Sequence, residues 1–281
     1  VSHSFRSLRI GLDCANGSSW MIAPAIFEAL GATTYVINAS PDGQNINHNA
    51  GSTHIEGLVK LVREQHLDVG FAFDGDADRC LAVDENGNIV NGDHILYILA
   101  NQLKRKGILN HDTIVATVMS NGGLTKALRE VGINTVKTAV GDRYVYEAMM
   151  KDGYLLGGEQ SGHIILQKYA TTGDGILTAL MLMEEILDRK STLGKLASPV
   201  KIFPQSLINI KVPDKDAVMN DEHVKSIVHE IEEELGENGR ILLRKSGTEN
   251  VIRVMVECEN EEQCNSCAEK AAAYIRERYG K

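Results

Sequence analysis

Three carboxylates stand at alternate positions in Asp74-Gly-Asp76-Ala-Asp78-Arg79, directly after the apolar run VGFAF. On one extended strand face they would repel one another. In a tight loop they can converge on a hard cation that neutralises them. An all-oxygen ligand set favours Mg2+ over Zn2+. Three other readings use the same residues. An EF-hand would take Asp74, Asp76, Asp78 and Glu85 as ligands, but Arg79 falls where that loop needs glycine, and the segment leaves a strand rather than a helix. A phosphatase with an aspartyl nucleophile also places Asp-x-Asp after a strand, yet carries a small residue where Asp78 stands. The last is an Asp-rich turn with no metal. The spacing ranks Mg2+ first.

Two further segments could bind a ligand. In Gly157-Gly158-Glu159-Gln160-Ser161-Gly162-His163 the glycines let backbone approach a ligand closely. Glu159 can accept from two sugar hydroxyls side by side, and Ser161 can donate or accept. Taken alone, the segment reads more readily as a polar turn. In Arg244-Lys245-Ser246-Gly247-Thr248-Glu249-Asn250, followed by Arg253, cations and hydroxyls flank a glycine. Arg can grip a phosphate with two donors, and Gly247 exposes backbone N–H groups. GxxxxGK[ST] is absent, so this is no Walker A loop. A plain hairpin turn is the competing reading.

Elements must hold these loops in place. Over residues 8–106, apolar β-rich segments (LRIGLDC, TTYVIN, DVGFAFD) alternate with helix-like ones (APAIFEALG, IEGLVKLVREQ, DHILYILANQLKRKG), and CLAVDENGNIV reads as a hairpin. That alternation predicts βαβ units and a mainly parallel sheet. The pattern restarts with TIVATV, GLTKALREVG, INTVKT, DRYVYEAMMKDG and GILTALMLMEEILDRK. After Ser198-Pro199 comes a third regime: strand SLINIKV, acidic helix VKSIVHEIEEELG, two strands around the 244–250 turn, and a helix from near Glu261. The fold class expected is α/β, with two similar mixed-sheet domains, 1–106 and 107–199, followed by a small α+β domain, 200–281. The Glu-rich stretch 230–237 is read as a solvated helix face.

The chain has 281 residues, 43% hydrophobic and 24% charged, which excludes a disordered chain, a collagen or a coiled-coil rod. Its net charge of −9 and lack of a basic cluster argue against nucleic acid as a partner. No apolar run approaches the ~18 residues of a membrane span, and VSHSFRSLRI has no signal-peptide core. Five cysteines, an odd count, argue against a disulfide framework and for a reducing, cytoplasmic setting. Cys264-x-x-Cys267 has no second pair or nearby His, so both are expected to be ordinary helix residues.

Taken together and in this order, DGDADR, GEQSGH and RKSGTEN resemble the loops of the α-D-phosphohexomutase family. LDCANG, PDGQNIN, GSTH, VMSNGG, AVGDRYV, TTGDG and FPQ also look like that family, so the resemblance runs from residue 8 to the end. Gln160 looks like the branch acting on glucosamine phosphates. The phosphomannomutase/phosphoglucomutase branch and a non-catalytic sugar-phosphate binding module are the alternatives. The resemblance implies an isomerase that moves phosphate between O6 and O1 of a phosphorylated amino-hexose through a 1,6-bisphosphate. It implies Mg2+ on Asp74, Asp76 and Asp78. It implies substrate contacts from Glu159, Ser161, His163, Arg244, Ser246, Gly247, Thr248 and Arg253. Arg79 is a candidate contact to the transferred phosphate, and His163 has a buried structural role as its alternative.

The family has four domains, of which this chain resembles the last three. The first carries a phosphorylated serine in a Ser-His-Asn-Pro-type loop. The nearest stretch here, His48-Asn49-Ala50, has neither the Ser nor the Pro. A fragment, inactive by itself, is therefore expected. The family also places proline where Lys245 and Asn250 stand, so the phosphate loop is expected to be looser, with Lys245 adding a cation.

Overall fold

The computed structural model describes residues 2–247 and 249–280, with the backbone alone at residue 237. Thr248 therefore lies outside the described residues. The chain separates into two compact units, Val1–Ser120 with Ala127–Val200, and Asn121–Lys126 with Lys201–Lys281.

The first unit holds two sheets. One contains β1 (Arg9–Asp13), β2 (Thr33–Ile37), β3 (Val69–Phe73), β4 (Cys80–Val83) and β5 (Ile89–Val90), in the order β2-β1-β3-β4-β5. β1 runs parallel to β2 and β3, and β4 and β5 close the sheet antiparallel. Helices α1 (Ser19–Ala29) and α2 (Glu56–Gln65) make the two parallel crossovers, and α3 (Gly92–Arg105) follows. The other sheet contains β6 (Thr113–Thr117), β7 (Asn134–Thr138), β8 (Leu156–Gly158) and β9 (Ile164–Leu166), in the order β7-β6-β8-β9. Its connections are α4 (Gly122–Glu130) and α5 (Asp142–Asp152), with α6 (Gly175–Asp188) and α7 (Leu193–Ala197) after it. The two sheets share one scheme: a central strand with parallel neighbours on both sides, then an antiparallel strand. The similarity expected of these halves is thus one of topology.

Residue pattern explains strand position. VGFAF and TIVAT are buried at every residue, as central parallel strands with helices on both faces must be. TTYVI and NTVKT are only half-buried and lie at the edges. Phe5, Phe27 and Phe71 stack in series with ring centroids 5.8 Å apart, packing α1 on the first sheet. Asn91 caps α3 and forms a capping box with His94, and Asp174 caps α6.

The second unit contains an antiparallel sheet, β10 (Gln205–Lys211), β12 (Val251–Cys258) and β11 (Gly239–Lys245), with β12 in the centre. α8 (Lys215–Asn220), α9 (Glu222–Leu235) and α10 (Glu261–Tyr279) accompany it. Cys264, Cys267, Ala268, Ala271, Ala272 and Ile275 face the core with Ile252, Val254 and Val256. Small side chains let α10 lie close to the sheet. Burial pushes the Cys264 and Cys267 thiols up to about 11, which suits packing rather than chemistry. Glu230 and Glu232–Glu234 lie on the exposed side of α9. Among the described residues no helix is long and apolar enough to cross a membrane.

Candidate functional site

The acidic loop forms where β3 ends. Ala77 takes a left-handed backbone (φ 61°), and its N–H returns to the Asp74 carbonyl at 3.1 Å. Three neighbouring segments hold the loop. The Ser18 N–H at the start of α1 donates to Gly75 O (2.8 Å), and the Gly175 N–H at the start of α6 donates to Ala77 O (2.8 Å). On the far side the Cys80 N–H donates to Gly162 O (3.0 Å). Gly162 has φ 94°, and a Cβ there would stand 2.4 Å from Cys80 O, so only glycine allows this approach.

The loop brings one carboxylate oxygen from each of Asp74, Asp76 and Asp78 within 4.8 Å of the others. Asp74 is buried, Asp78 half-buried and Asp76 exposed. Burial, reinforced by the Asp78 and Asp76 carboxylates, pushes Asp74 up to about 6, against the pull of the Arg79 backbone N–H. That N–H donates to Asp74 Oδ1 at 3.1 Å. The Arg79 guanidinium stands further off, with Nε 3.7 Å from Asp74 Oδ2 and 3.9 Å from Asp78 Oδ1. Asp78 Oδ1 is buried without a hydrogen-bond partner among the described residues. Converging oxygens, a carboxylate whose charge is penalised by burial and by its neighbours, and an orphaned acceptor fit a divalent cation. A groove of about 550 Å3, lined by Ser18, Asp76, Asp78, Thr172 and Asp174, opens beside them.

His163 is buried, and both ring nitrogens are engaged. Nε2 accepts from the Gly173 N–H at 3.0 Å, which leaves the proton on Nδ1. Nδ1–H then donates to Asp78 Oδ2 at 3.1 Å. The ring therefore supports a carboxylate of the acidic triad rather than offering a free valence to a sugar. Its partner Gly173, in TTGDG, carried no assigned role in the sequence.

The glycine-rich segment is the turn of the β8–β9 hairpin, closed by Glu159 N–H to His163 O and Gly162 N–H to Glu159 O, both at 3.0 Å. Its tip presents Glu159 and Gln160 half-buried and Ser161 exposed. Glu159 Oε1 accepts from the Gly141 N–H at 3.0 Å, which fixes the carboxylate. Arg143, in GDRY, is exposed and pairs with Glu147 at 2.7 Å.

The basic loop belongs to the second unit and joins β11 to β12. Ser246 is buried, and Arg244, Lys245 and Gly247 are exposed. Arg244 and Arg253 are directly opposite in the antiparallel register, so two guanidinium groups share one face. Like charges so placed repel unless an anion joins them. Arg253 Nε is buried without a hydrogen-bond partner among the described residues. Lys245 pairs with Asp216, so its charge is not the added free cation expected from sequence. Lys215 Nζ donates to the Ser246 and Glu249 carbonyls. Neither Lys215 nor Asp216 carries a sequence signal, because they reach the loop from 29 to 34 residues away.

Models of the phosphoglucomutase/phosphomannomutase family cover nearly the whole chain: alpha/beta/alpha domain II over residues 2–87, domain III over 91–203 and the C-terminal domain over 207–273. The phosphoglucosamine mutase of Lachnospira eligens is 58% identical over 274 residues, 98% of this chain and 61% of its own length. That of Lachnoclostridium phytofermentans is 53% identical over 278 residues, 99% of this chain and 62% of its own. The chain thus spans about three fifths of the curated relatives it matches. A phosphoglucomutase/phosphomannomutase family protein from Burkholderia thailandensis has the same fold, with a TM-score of 0.76 at 22% identity, covering 98% of this chain and 61% of its own. So does Aspergillus fumigatus N-acetylphosphoglucosamine mutase, solved with GlcNAc-6P and magnesium, with a TM-score of 0.72 at 20% identity, covering 97% and 62%. The acidic loop, the glycine hairpin and the basic loop are therefore those of a chain that belongs to the phosphoglucomutase/phosphomannomutase family, the α-D-phosphohexomutases.

Proposed function

We propose that the chain supplies the metal, sugar and phosphate sites of a cytoplasmic phosphoglucosamine mutase, which interconverts glucosamine 6-phosphate and glucosamine 1-phosphate through the 1,6-bisphosphate. Residues 1–106 carry the metal loop, 107–199 the sugar loop and 200–281 the phosphate loop. The phosphoserine of that reaction comes from outside these residues, since no Ser-His-Asn-Pro occurs among them. The observation that carries the reading is the convergence of Asp74, Asp76 and Asp78, with His163 of the sugar hairpin bonded to Asp78.

Asp74, Asp76 and Asp78 would hold Mg2+, and Arg79 is placed to meet the transferred phosphate beside them. When bound, the ion acts as a Lewis acid that lowers the charge on that phosphoryl group. Glu159, fixed by Gly141, accepts the sugar hydroxyls, and Ser161 completes the tip. O3 and O4 roughly exchange places when the bisphosphate turns over, so one fixed carboxylate serves both poses. Arg244, Ser246, Gly247, Thr248 and Arg253 hold the phosphate that is not reacting.

The test is a coupled assay. The chain alone should not turn over glucosamine 6-phosphate. Mixed with a phosphorylated serine domain from a 58%-identical relative, it should, and faster than it turns over mannose or glucose 6-phosphate. Preference for either of the latter would move the chain to the phosphomannomutase/phosphoglucomutase branch. Turnover by the chain alone would show that the serine lies within it.

A further inference from the structure

The basic loop is held from behind by a residue that no motif singles out. Lys215 opens α8, and its Nζ donates to the Ser246 carbonyl at 2.7 Å and the Glu249 carbonyl at 2.9 Å. The adjacent Asp216 pairs with Lys245. We propose that Lys215 is the positioning residue of an anion cradle whose donors are the backbone N–H groups of Gly247 and Asn250. The inference deepens, and rests on, the reading of this loop as the phosphate site.

Peptide geometry carries it. Across a trans peptide the C=O and the following N–H point in opposite directions. Drawing Ser246 O and Glu249 O onto one ammonium therefore turns the next N–H groups, those of Gly247 and Asn250, away from Lys215. Neither N–H has a hydrogen-bond partner among the described residues. Two aligned N–H groups on the outer side of a turn form a concave site for an anion. Gly247 adds a second sign of a ligand. Its φ is not left-handed, and a Cβ there would meet nothing within 4 Å, so neither conformation nor packing requires glycine. A closely approaching phosphate would.

The two positions where the family resemblance expects proline acquire a rationale. Proline at 250 would carry no N–H, whereas Asn250 supplies a donor. The stiffness two prolines would have given is replaced by polar ties: Lys215 on two carbonyls, Asp216 on Lys245, Ser246 Oγ accepting from the Glu249 N–H at 3.3 Å, and the Val212 N–H donating to Asn250 O at 3.0 Å. Lys215 thus sets donor direction, and Arg244 and Arg253 supply the charge.

The experiment is an NMR titration of the chain with inorganic phosphate, following the Gly247 and Asn250 amide shifts to saturation. The Gly247 and Asn250 amide protons should move downfield on binding. Lys215→Met should weaken phosphate about tenfold and remove most of the downfield shift of the Gly247 and Asn250 amide protons at saturation. Lys215→Arg should recover most of both. If Arg244→Ala weakens phosphate but Lys215→Met stays within twofold of the parent, the clamp is wrong. Weaker binding with the saturated Gly247 and Asn250 shifts unchanged would make Lys215 a charge alone, which also overturns it. If neither variant weakens phosphate, the loop is not a phosphate site, and both readings fall together.

Discussion

Replacing Glu257 should show how much of the second unit rests on one buried carboxylate. Glu257 is fully buried on β12. Its Oε1 accepts from the Gly122 N–H at 2.7 Å, with Arg240 Nε 3.1 Å away. Its Oε2 accepts from Asn121 Nδ2 at 3.0 Å, Gln205 Nε2 at 2.5 Å and Arg240 Nη2 at 3.3 Å. Glu257→Gln keeps the shape but removes the charge and turns one acceptor into a donor. A guanidinium whose side chain is only 23% exposed then loses its counter-charge. Breaking such a pair from one side costs about 3–5 kcal/mol. For a domain of this size, 1 kcal/mol is about 4–8 °C in Tm, so the transition of this unit should fall by roughly 12 °C or more. The assay is urea unfolding and calorimetry at pH 7. Glu257→Gln combined with Arg240→Met should recover more than half of the loss, because no unpaired charge remains. A loss below about 1 kcal/mol for the single variant, or a double variant no better than the single, would show that the carboxylate is not the organising charge.

Three further outcomes follow from the first unit. Burial holds His94 down at about 4, against an ordinary value of 6.5, so its stabilisation is intact above pH 6.5 and is lost as pH falls towards 4, by at most about 3 kcal/mol. Asp13 and Asp74, raised by burial, act in the opposite sense, so the quantity to measure is the difference between the parent and His94→Gln in urea unfolding at pH 8 and pH 4.5. The parent should lose more than the variant, and parallel pH profiles would refute this. His163→Phe keeps the buried volume but frees Asp78, and should weaken Mg2+ binding at residues 74–79 by about 10- to 100-fold in an amide-shift titration, with the circular dichroism unchanged. An unaltered Mg2+ affinity would make His163 purely structural. Glu159→Ala should weaken glucosamine 6-phosphate in isothermal titration and leave inorganic phosphate untouched, whereas equal losses on both would indicate a folding defect.

Local chemistry is written along the chain, and that part was legible. VGFAF and the IVA core of TIVAT are continuous apolar runs because strands covered by helices on both faces need no polar side, and that pattern needs no knowledge of neighbours. The caps Asn91, Asp174 and Asn260 mark helix starts by their side-chain oxygens. Carboxylates at 74, 76 and 78 could be read as one site because a tight turn gathers alternate residues whatever surrounds it. The β8–β9 hairpin could not be read in this way. Strands of three residues, LGG and IIL, are too short for any periodicity, so GEQSGH was legible as a polar, glycine-rich turn but not as the turn of a strand pair.

Tertiary structure alone decided what each charged or polar group faces. Asp78 and His163 meet across 85 residues, Asn121 and Glu257 across 136, and Lys215 and Ser246 across 31. No local period spans such distances. His163 became a support for Asp78, and Lys245 a partner of Asp216, through where other strands and helices set them down. The restart of the strand–helix pattern made the likeness of the two halves legible, but the strand order within each sheet depends on pairing that many apolar sequences satisfy. Residue types fixed which chemistry each loop could perform. Packing fixed which atoms were left with free valences to perform it, because burial makes an unpaired polar atom costly, so most find partners in the folded chain, and two of those left over, Asp78 Oδ1 and Arg253 Nε, mark where a ligand would sit.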